Sequence, residues 1–441
     1  MINLKTITTF IISILCGLFF VFLLPLISIK PIILFALPLV ALFSILLINK
    51  PELVLAILLI LRPLLDNILN LTKVGAGSIS FGIGAILNLL VIFLVVYLLF
   101  RDSGLRNKSQ LIKPWLIYLF IIFISCLYSP YTGLAIKLFA SYLSLFAMYL
   151  LPAILIKNKN DFNYWFKVYI YSFFLPILFA NIDLLKGGHY FPDAGMRISG
   201  TFTHPNILSF YLILALTSFI IYLEANKTKI NKIFKYFLFI LIVNVVLLII
   251  FTKTRNAWFA LILLSLFYGF VKDRKFLLIL LLLLPLLFSI PAVQSRLISL
   301  KDKSDYQGMN SWEWRINMWK SSLEPIKERP FTGYGLATFQ SMSEDFSNVG
   351  KNGAHNTYLQ TLFESGLFGL LAFLYLLLTP IYHLLNKIKE SKLWTITIGY
   401  LLSYLIICFA DNLSYYLVLN WYVWWFIGLI LLSRKFINSN D

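Results

Sequence analysis

Stretches of about 20 apolar residues recur along almost the whole chain, the length a helix needs to cross a bilayer. They lie near 7–27, 31–49, 53–71, 79–100, 114–128, 133–156, 162–185, 207–225, 236–252, 256–271 and 276–291. After a polar interval come three more, near 357–385, 393–410 and 416–433. Some are short enough to re-enter or merge. The sequence therefore predicts an all-α polytopic integral membrane protein with about 12–14 transmembrane helices. Composition excludes the alternatives: 60% of the 441 residues are apolar and 13% are charged. Soluble domains carry about twice that charge, and a disordered chain would lack the Leu, Ile and Phe. The first run is too long for a signal-peptide core and lacks a small-residue cleavage site, so it counts as a span.

The side on which each connection lies follows from Lys and Arg. With the N-terminus inside, cytoplasmic segments hold 20 of these residues and the short outer connections only 6, among them Arg197, Lys253 and Arg255. Both termini are then cytoplasmic, and the polar interval faces outward. The expected organisation is an N-terminal transmembrane bundle over 1–291, a large extracytoplasmic helical loop over 292–356, and C-terminal transmembrane helices with a short tail over 357–441. Topology accounts for most of the net charge of +18, and no nucleic-acid motif accompanies it. The three cysteines lie inside apolar runs without a CxxC, and the four histidines are scattered, so no metal site or disulfide framework is expected.

Candidate chemistry concentrates on the outer side. The loop carries Ser311-Trp312-Glu313-Trp314-Arg315 and Pro330-Phe331-Thr332-Gly333-Tyr334-Gly335, with apolar positions at helical spacing. Helices lying on the leaflet and roofing the bundle read this way. Arginine is disfavoured on this side, yet Arg197, Arg255 and Arg315 each stand beside a span or in the loop. One alone suits headgroup contact; several together would hold a lipid-linked diphosphate through forked hydrogen bonds. His355, at the mouth of the span that follows the loop, suits proton transfer near neutral pH. His189 and His204 compete for that role, whereas His383 lies at the cytoplasmic end of its span. Glu364, about two turns below His355, would brace the site. Arg62 and Asp66, four apart, are expected to pair on one helix face as a structural couple. No P-loop, GxSxG, HExxH or D-x-D is present, so a metal-held nucleotide sugar is not supported.

Taken in order, these segments resemble the O-antigen ligase/O-antigen polymerase superfamily of bacterial membrane glycosyltransferases. The matching residues are Arg197-Ile198-Ser199-Gly200-Thr201-Phe202 with His204-Pro205-Asn206, then Thr254-Arg255, Arg315 with Trp319, Pro330 to Gly335, and Ala354-His355-Asn356-Thr357-Tyr358-Leu359-Gln360 with Glu364, Gly366 and Gly369. The likeness covers about 190 to 375; the first 180 residues agree only in hydropathy. It implies His355 as the catalytic residue and Arg255, Arg315 and Arg197 as donor-binding residues, with Asn356, Glu364, His204 and Asn206 in support. It also implies a bacterial inner membrane, a site facing the periplasm, an undecaprenyl-diphosphate-linked oligosaccharide or polysaccharide as donor, and no cofactor. The acceptor would be another glycan, in a polymerase, or lipid A-core, in a ligase; membrane lipids and a chain-length regulator are further partners. The His204-Pro205-Asn206 run favours the polymerase. A polysaccharide flippase is the alternative from another class, and would need charged residues along a path through the membrane.

Overall fold

A computed structural model describes residues 46–433 apart from 48, 72–73, 77–78, 102–108, 192–194, 228–229, 288 and 299–308. The predicted span at 7–27, nearly all of that at 31–49, and both chain termini lie outside the described residues. In chain order come α1 (Pro51–Leu61), a 3₁₀ turn at Arg62–Leu64, α2 (Asp66–Leu71), the hairpin β1–β2 (Val74–Ala76 and Ile79–Phe81), α3 (Ile83–Arg101), α4 (Ile112–Leu127) and α5 (Thr132–Leu155). Next are α6 (Lys159–Tyr171), α7 (Phe174–Leu185), the hairpin β3–β4 (His189–Phe191 and Gly195–Arg197), α8 (Pro205–Ala225), α9 (Lys232–Phe251), α10 (Arg255–Val271), α11 (Arg274–Leu287) and α12 (Pro291–Ile298). The polar interval supplies α13 (Ser311–Glu328) and α14 (Phe339–Phe346). The described chain closes with α15 (Thr357–Leu385), α16 (Lys392–Ile407), a 3₁₀ turn at Leu413–Tyr415 and α17 (Leu417–Ser433).

Six helical stretches among the described residues are long and apolar enough to cross a membrane: α3, α5, α6 with α7, α8, α9 and α15. The helices α4, α10, α16 and α17 are shorter and apolar. The protein is an all-α polytopic membrane protein, as its hydropathy predicts. Helix starts follow from local chemistry: Asn158, His204, Asn231, Asn356 and Ser391 each accept a hydrogen bond from a first-turn amide of the next helix. Asn310 and Glu313 form a reciprocal capping box that opens α13. At the centre stands α17, apolar all round and buried along its length, packed on α5. Its Trp424 meets Trp115 edge-on at 4.6 Å between ring centroids, and its Trp421 indole donates to Ser144 Oγ at 3.0 Å.

Two predicted spans are broken, and both breaks matter. The stretch 53–71 stops being helical at Pro63, which lacks the amide a helix needs. Arg62 and Asp66 do pair, at 3.6 Å, but across this break instead of along one helix face. Thr201 Oγ1 donates to the Pro63 carbonyl at 2.8 Å, and the Asn67 amide to the Thr201 carbonyl at 3.2 Å. In α15 the chain leaves helical geometry at Gly366, with φ +64° and ψ −168°. The loop Pro330–Gly335 fills this gap. The amides of Tyr334 and Gly335 donate to the carbonyls of Phe363 and Glu364 at 2.9 Å each, and the Leu367 amide donates to the Pro330 carbonyl at 2.8 Å. From α4, Ser125 Oγ donates to the Glu364 carbonyl and Ser129 Oγ to the Leu336 carbonyl. Part of the polar interval is therefore plugged into a transmembrane helix.

A side chain at Gly366 would collide with the Phe331 carbonyl, and one at Gly333 with the Phe363 carbonyl; both backbones are left-handed. Left-handed geometry alone costs a non-glycine residue roughly 1–2 kcal/mol. Gly366→Ala and Gly333→Ala are each expected to lower the thermal midpoint of the detergent-solubilised protein by several degrees. Gly84→Ala, which meets open space, should leave it unchanged.

Candidate active site

The hairpin β3–β4 pairs His189 with Arg197 and delivers the loop 198–204 to the start of α8. That loop is pinned from two sides. Asp183 accepts from the amides of Ser199 and Gly200 at 2.8 Å each, and Asp66 accepts from the Thr203 amide at 3.2 Å. Arg197 is buried and donates through Nε to the Thr252 carbonyl at 2.8 Å. Its Nη2 donates to Thr254 Oγ1 at 2.9 Å and Asn206 Oδ1 at 3.0 Å. His204 accepts from the Asn206 amide through Nδ1 at 3.1 Å, capping α8.

Two more arginines meet through one serine. Arg255, the first residue of α10, donates from Nη2 to Ser311 Oγ at 2.7 Å. Arg315, one turn into α13, donates from Nη1 to the Ser311 carbonyl at 3.2 Å. The Nε of Arg315 is buried without a hydrogen-bond partner among the described residues. A fourth arginine, Arg296 on α12, donates from Nε to the Lys253 carbonyl at 3.2 Å.

His355 is held in the left-handed region at φ +46°, unusual for a histidine, one residue before the cap of α15. Trp314 meets its ring edge-on at 5.5 Å, and Trp319 donates to the carbonyl of the preceding Ala354 at 2.7 Å. Its Nδ1 faces Asp411 Oδ1 at 3.7 Å. Asp411, fully buried between α16 and α17, also accepts from the Tyr416 hydroxyl at 2.8 Å, its neighbour's amide at 2.9 Å, and Asn206 Nδ2 at 2.9 Å. Burial would raise this carboxyl, but the His355 imidazole, then the Tyr416 hydroxyl and the Arg315 charge, outweigh it and hold Asp411 below the usual carboxylate range. Lys253 shows the opposite environment: burial first, then Arg296 and Arg197, draw its ammonium below its ordinary value.

These groups line one cavity of about 420 Å³. Arg197, Arg255, Arg296, Arg315, His204, Asn206 and His355 all face it, and among the described residues that line it none is a carboxylate. Six of the residues singled out in the sequence thus come together, from segments up to 158 positions apart. Asn356 and Glu364 stand behind the wall. Glu364 accepts from the Ala337 amide at 3.1 Å, Gln360 Nε2 at 2.9 Å and the Tyr415 hydroxyl at 2.8 Å. Gln360 accepts from Asn412 Nδ2 at 2.8 Å, and Asn412 in turn accepts from the Asn356 amide at 2.9 Å. A carboxylate inside the bundle is connected in this way to the backbone beside His355. His189 is exposed and turns to Asp183 at 3.2 Å, away from the cavity lining.

Sequence reasoning missed Asp411 and Arg296. Asp411 carries a readable signal, a lone acidic residue between two apolar runs at the end of the bundle that holds His355. Arg296 carries none, being one of eight basic residues between 292 and 356.

Residues 236–374 match the family model described as O-antigen ligase. That segment of the chain is similar to the O-antigen ligase family, in line with the resemblance read from the sequence. A curated relative, an uncharacterized protein of Haemophilus influenzae, is 28% identical over 114 residues, which is 24% of this chain and 28% of the relative. The matched family segment contains Arg255, Arg296, Arg315 and His355, whereas Arg197 and Asn206 precede it and Asp411 follows it. The cavity is completed by residues from outside the matched segment.

The lowered carboxyl of Asp411 has a defined pH consequence. A group whose pKa falls on folding contributes stability that is complete above its unfolded value, about 3.9 for Asp, and lost as pH drops through the folded value. Asp411→Asn should therefore flatten the acid limb of the stability profile, measured as thermal midpoint against pH in detergent. At neutral pH the same variant, which leaves the imidazole without its counter-charge, should lower turnover by about 10²-fold.

Proposed function

We propose that the cavity is the active site of a membrane glycosyltransferase at the periplasmic face of a bacterial inner membrane. Its donor is an undecaprenyl-diphosphate-linked glycan, and its acceptor is a glycan hydroxyl on a second lipid-linked unit. The observation that supports this reading is the convergence of guanidinium groups and a carboxylate-paired histidine on one cavity. The charge bias of the connecting segments supports the periplasmic orientation.

The chemistry needs two things from the chain. As the anomeric carbon leaves the diphosphate oxygen, the bonding pair stays on that oxygen and negative charge grows there. Arg255 and Arg315, joined through Ser311, offer fixed donors to that charge. On the other side the acceptor hydroxyl forms the new bond and gives up its proton. With Nδ1 of His355 directed at Asp411, Nε2 is the nitrogen that takes it. Asp411 positions the imidazole and stabilises its charged form, and Arg197, through Asn206, positions Asp411. Chain extension is favoured over transfer to lipid A-core on the His204-Pro205-Asn206 run. An enzyme is favoured over a flippase because the unusual polar groups gather at one end of the bundle.

His355→Ala is expected to lower turnover by about 10²- to 10⁴-fold while donor affinity stays within about threefold. Arg255→Lys and Arg315→Lys should both lose most activity, since an ammonium cannot supply the fork. Transfer assayed on purified protein with a lipid-linked oligosaccharide checks both, and near wild-type rates in the two lysine variants would refute the diphosphate site. Gel analysis of surface polysaccharide in a deletion strain separates the acceptors. A single repeat left on the core means a polymerase; loss of all O-chain with accumulating lipid-linked polymer means a ligase.

A further inference from the structure

We propose that Gln360 and Asn412 are positioning residues for the reaction described above. Together they clamp the backbone on both sides of His355 and so fix where its imidazole stands. This rests on the role given to His355, and the test separates the two.

His355 needs such a clamp. Its left-handed backbone, at φ +46°, is one that a residue with a Cβ keeps only where its surroundings impose it. The ring does not supply that restraint. Its Nδ1 has no hydrogen-bond partner among the described residues, and 3.7 Å to Asp411 is longer than a hydrogen bond. The carboxylate orients the ring by its charge, and the backbone has to place it.

Both amides that flank His355 are captured by side chains. Gln360 Oε1 accepts from the Ala354 amide at 3.3 Å, and Asn412 Oδ1 accepts from the Asn356 amide at 2.9 Å. The two side chains also hold each other, because Asn412 Nδ2 donates to Gln360 Oε1 at 2.8 Å. Chemistry sets the direction of the pair. Glu364, whose carboxylate also accepts from the Ala337 amide and the Tyr415 hydroxyl, takes the Nε2 end of Gln360 at 2.9 Å. That turns the oxygen of Gln360 toward Ala354 and Asn412. Asn412 then meets this oxygen with its Nδ2, which leaves its Oδ1 toward Asn356. The amide of Asn412 itself donates to Asp411 Oδ1 at 2.9 Å, so the same residue helps place the carboxylate that faces the ring. Gly353 carries an independent sign of this arrangement. A Cβ at that position would stand 2.6 Å from Asn412 Nδ2, inside the space the clamp occupies. Gln360 belongs to the first turns of α15 and Asn412 to the connection between α16 and α17, so the clamp ties His355 to both.

The experiment is a double-mutant cycle on the full-length protein. Transfer is measured with a lipid-linked oligosaccharide, and rates are referred to the fraction of protein that binds that donor. Asn412→Ala and Gln360→Met are each expected to lower turnover by about 10- to 100-fold, the scale on which an ångström of misplacement acts, with donor affinity within about threefold. In a His355→Ala background the same substitutions should cost less than about twofold, because no imidazole remains to be placed. An equal loss in both backgrounds, or a loss carried by donor affinity in place of turnover, is what a merely structural role would give and overturns the proposal. Gly353→Ala keeps every clamp side chain and displaces Asn412. It should repeat the pattern, and it decides the matter if the other two variants fail to fold. Wild-type turnover in His355→Ala alone would instead overturn the base assigned above, and this inference with it. Equal losses in both backgrounds would leave that base standing.

Discussion

Backbone amides and carbonyls in hydrocarbon must find partners within the protein, and this requirement governs how the site is built. Where α15 breaks at Gly366, the carbonyls of Phe363 and Glu364 lose their helical partners and take them from Tyr334 and Gly335. Where the stretch 53–71 breaks at Pro63, the loop 198–204 supplies Thr201 and Thr203. Both interruptions are thus docking points for polar segments that continue into the cavity. The loop that fills α15 is joined through Glu364, Gln360 and Asn412 to the backbone beside His355. The loop held at Pro63 joins Arg197, at the end of β4, to His204 and to Asn206 at the start of α8. Non-helical backbone at these places is tolerated because it is buried in protein.

The cavity brings four arginines together among the described residues, and the proposed anionic donor would offset the repulsion among them. Ser311 serves Arg255 through its hydroxyl and Arg315 through its carbonyl, and Lys253 serves Arg296 through its carbonyl. These partners are backbone carbonyl and hydroxyl groups, which orient each guanidinium. The carboxylate that could have quenched them, Asp411, is instead withdrawn behind the wall and given to His355, Tyr416 and Asn206. In the proposed reaction, anion recognition and proton transfer would thereby fall to separate groups.

The line from Arg197 through Asn206 and Asp411 to His355 joins three parts of the chain that no short motif spans. The first two links are hydrogen bonds of 3.0 and 2.9 Å, and the third is the 3.7 Å approach of Asp411 to the imidazole, all between buried or half-buried groups. The family match, which ends at 374, contains the histidine but not the aspartate that faces it.

Hydropathy alone determined that this is a helical membrane protein, because apolar runs of about 20 residues have no other stable use. The caps at Asn310 and Asn356 were also legible in principle, since a helix start is a local matter of side chain and amide. The same local signals drew attention to Arg197, Arg255, Arg315 and His355, polar residues beside apolar runs. What the sequence could not supply was distance. Pro63 and Gly366 are visible in the chain, but nothing local says that loops from 140 residues later or 30 earlier would fill the gaps they make. Arg296 looks like any other basic residue of the polar interval until the Lys253 carbonyl turns it toward the cavity. Asp411 stands 56 positions from His355, and only the packing of α15, α16 and α17 brings the two to 3.7 Å. Periodicity and capping are properties of neighbours along the chain, whereas a paired charge in a buried site depends on which helices meet, and that was decided by tertiary structure.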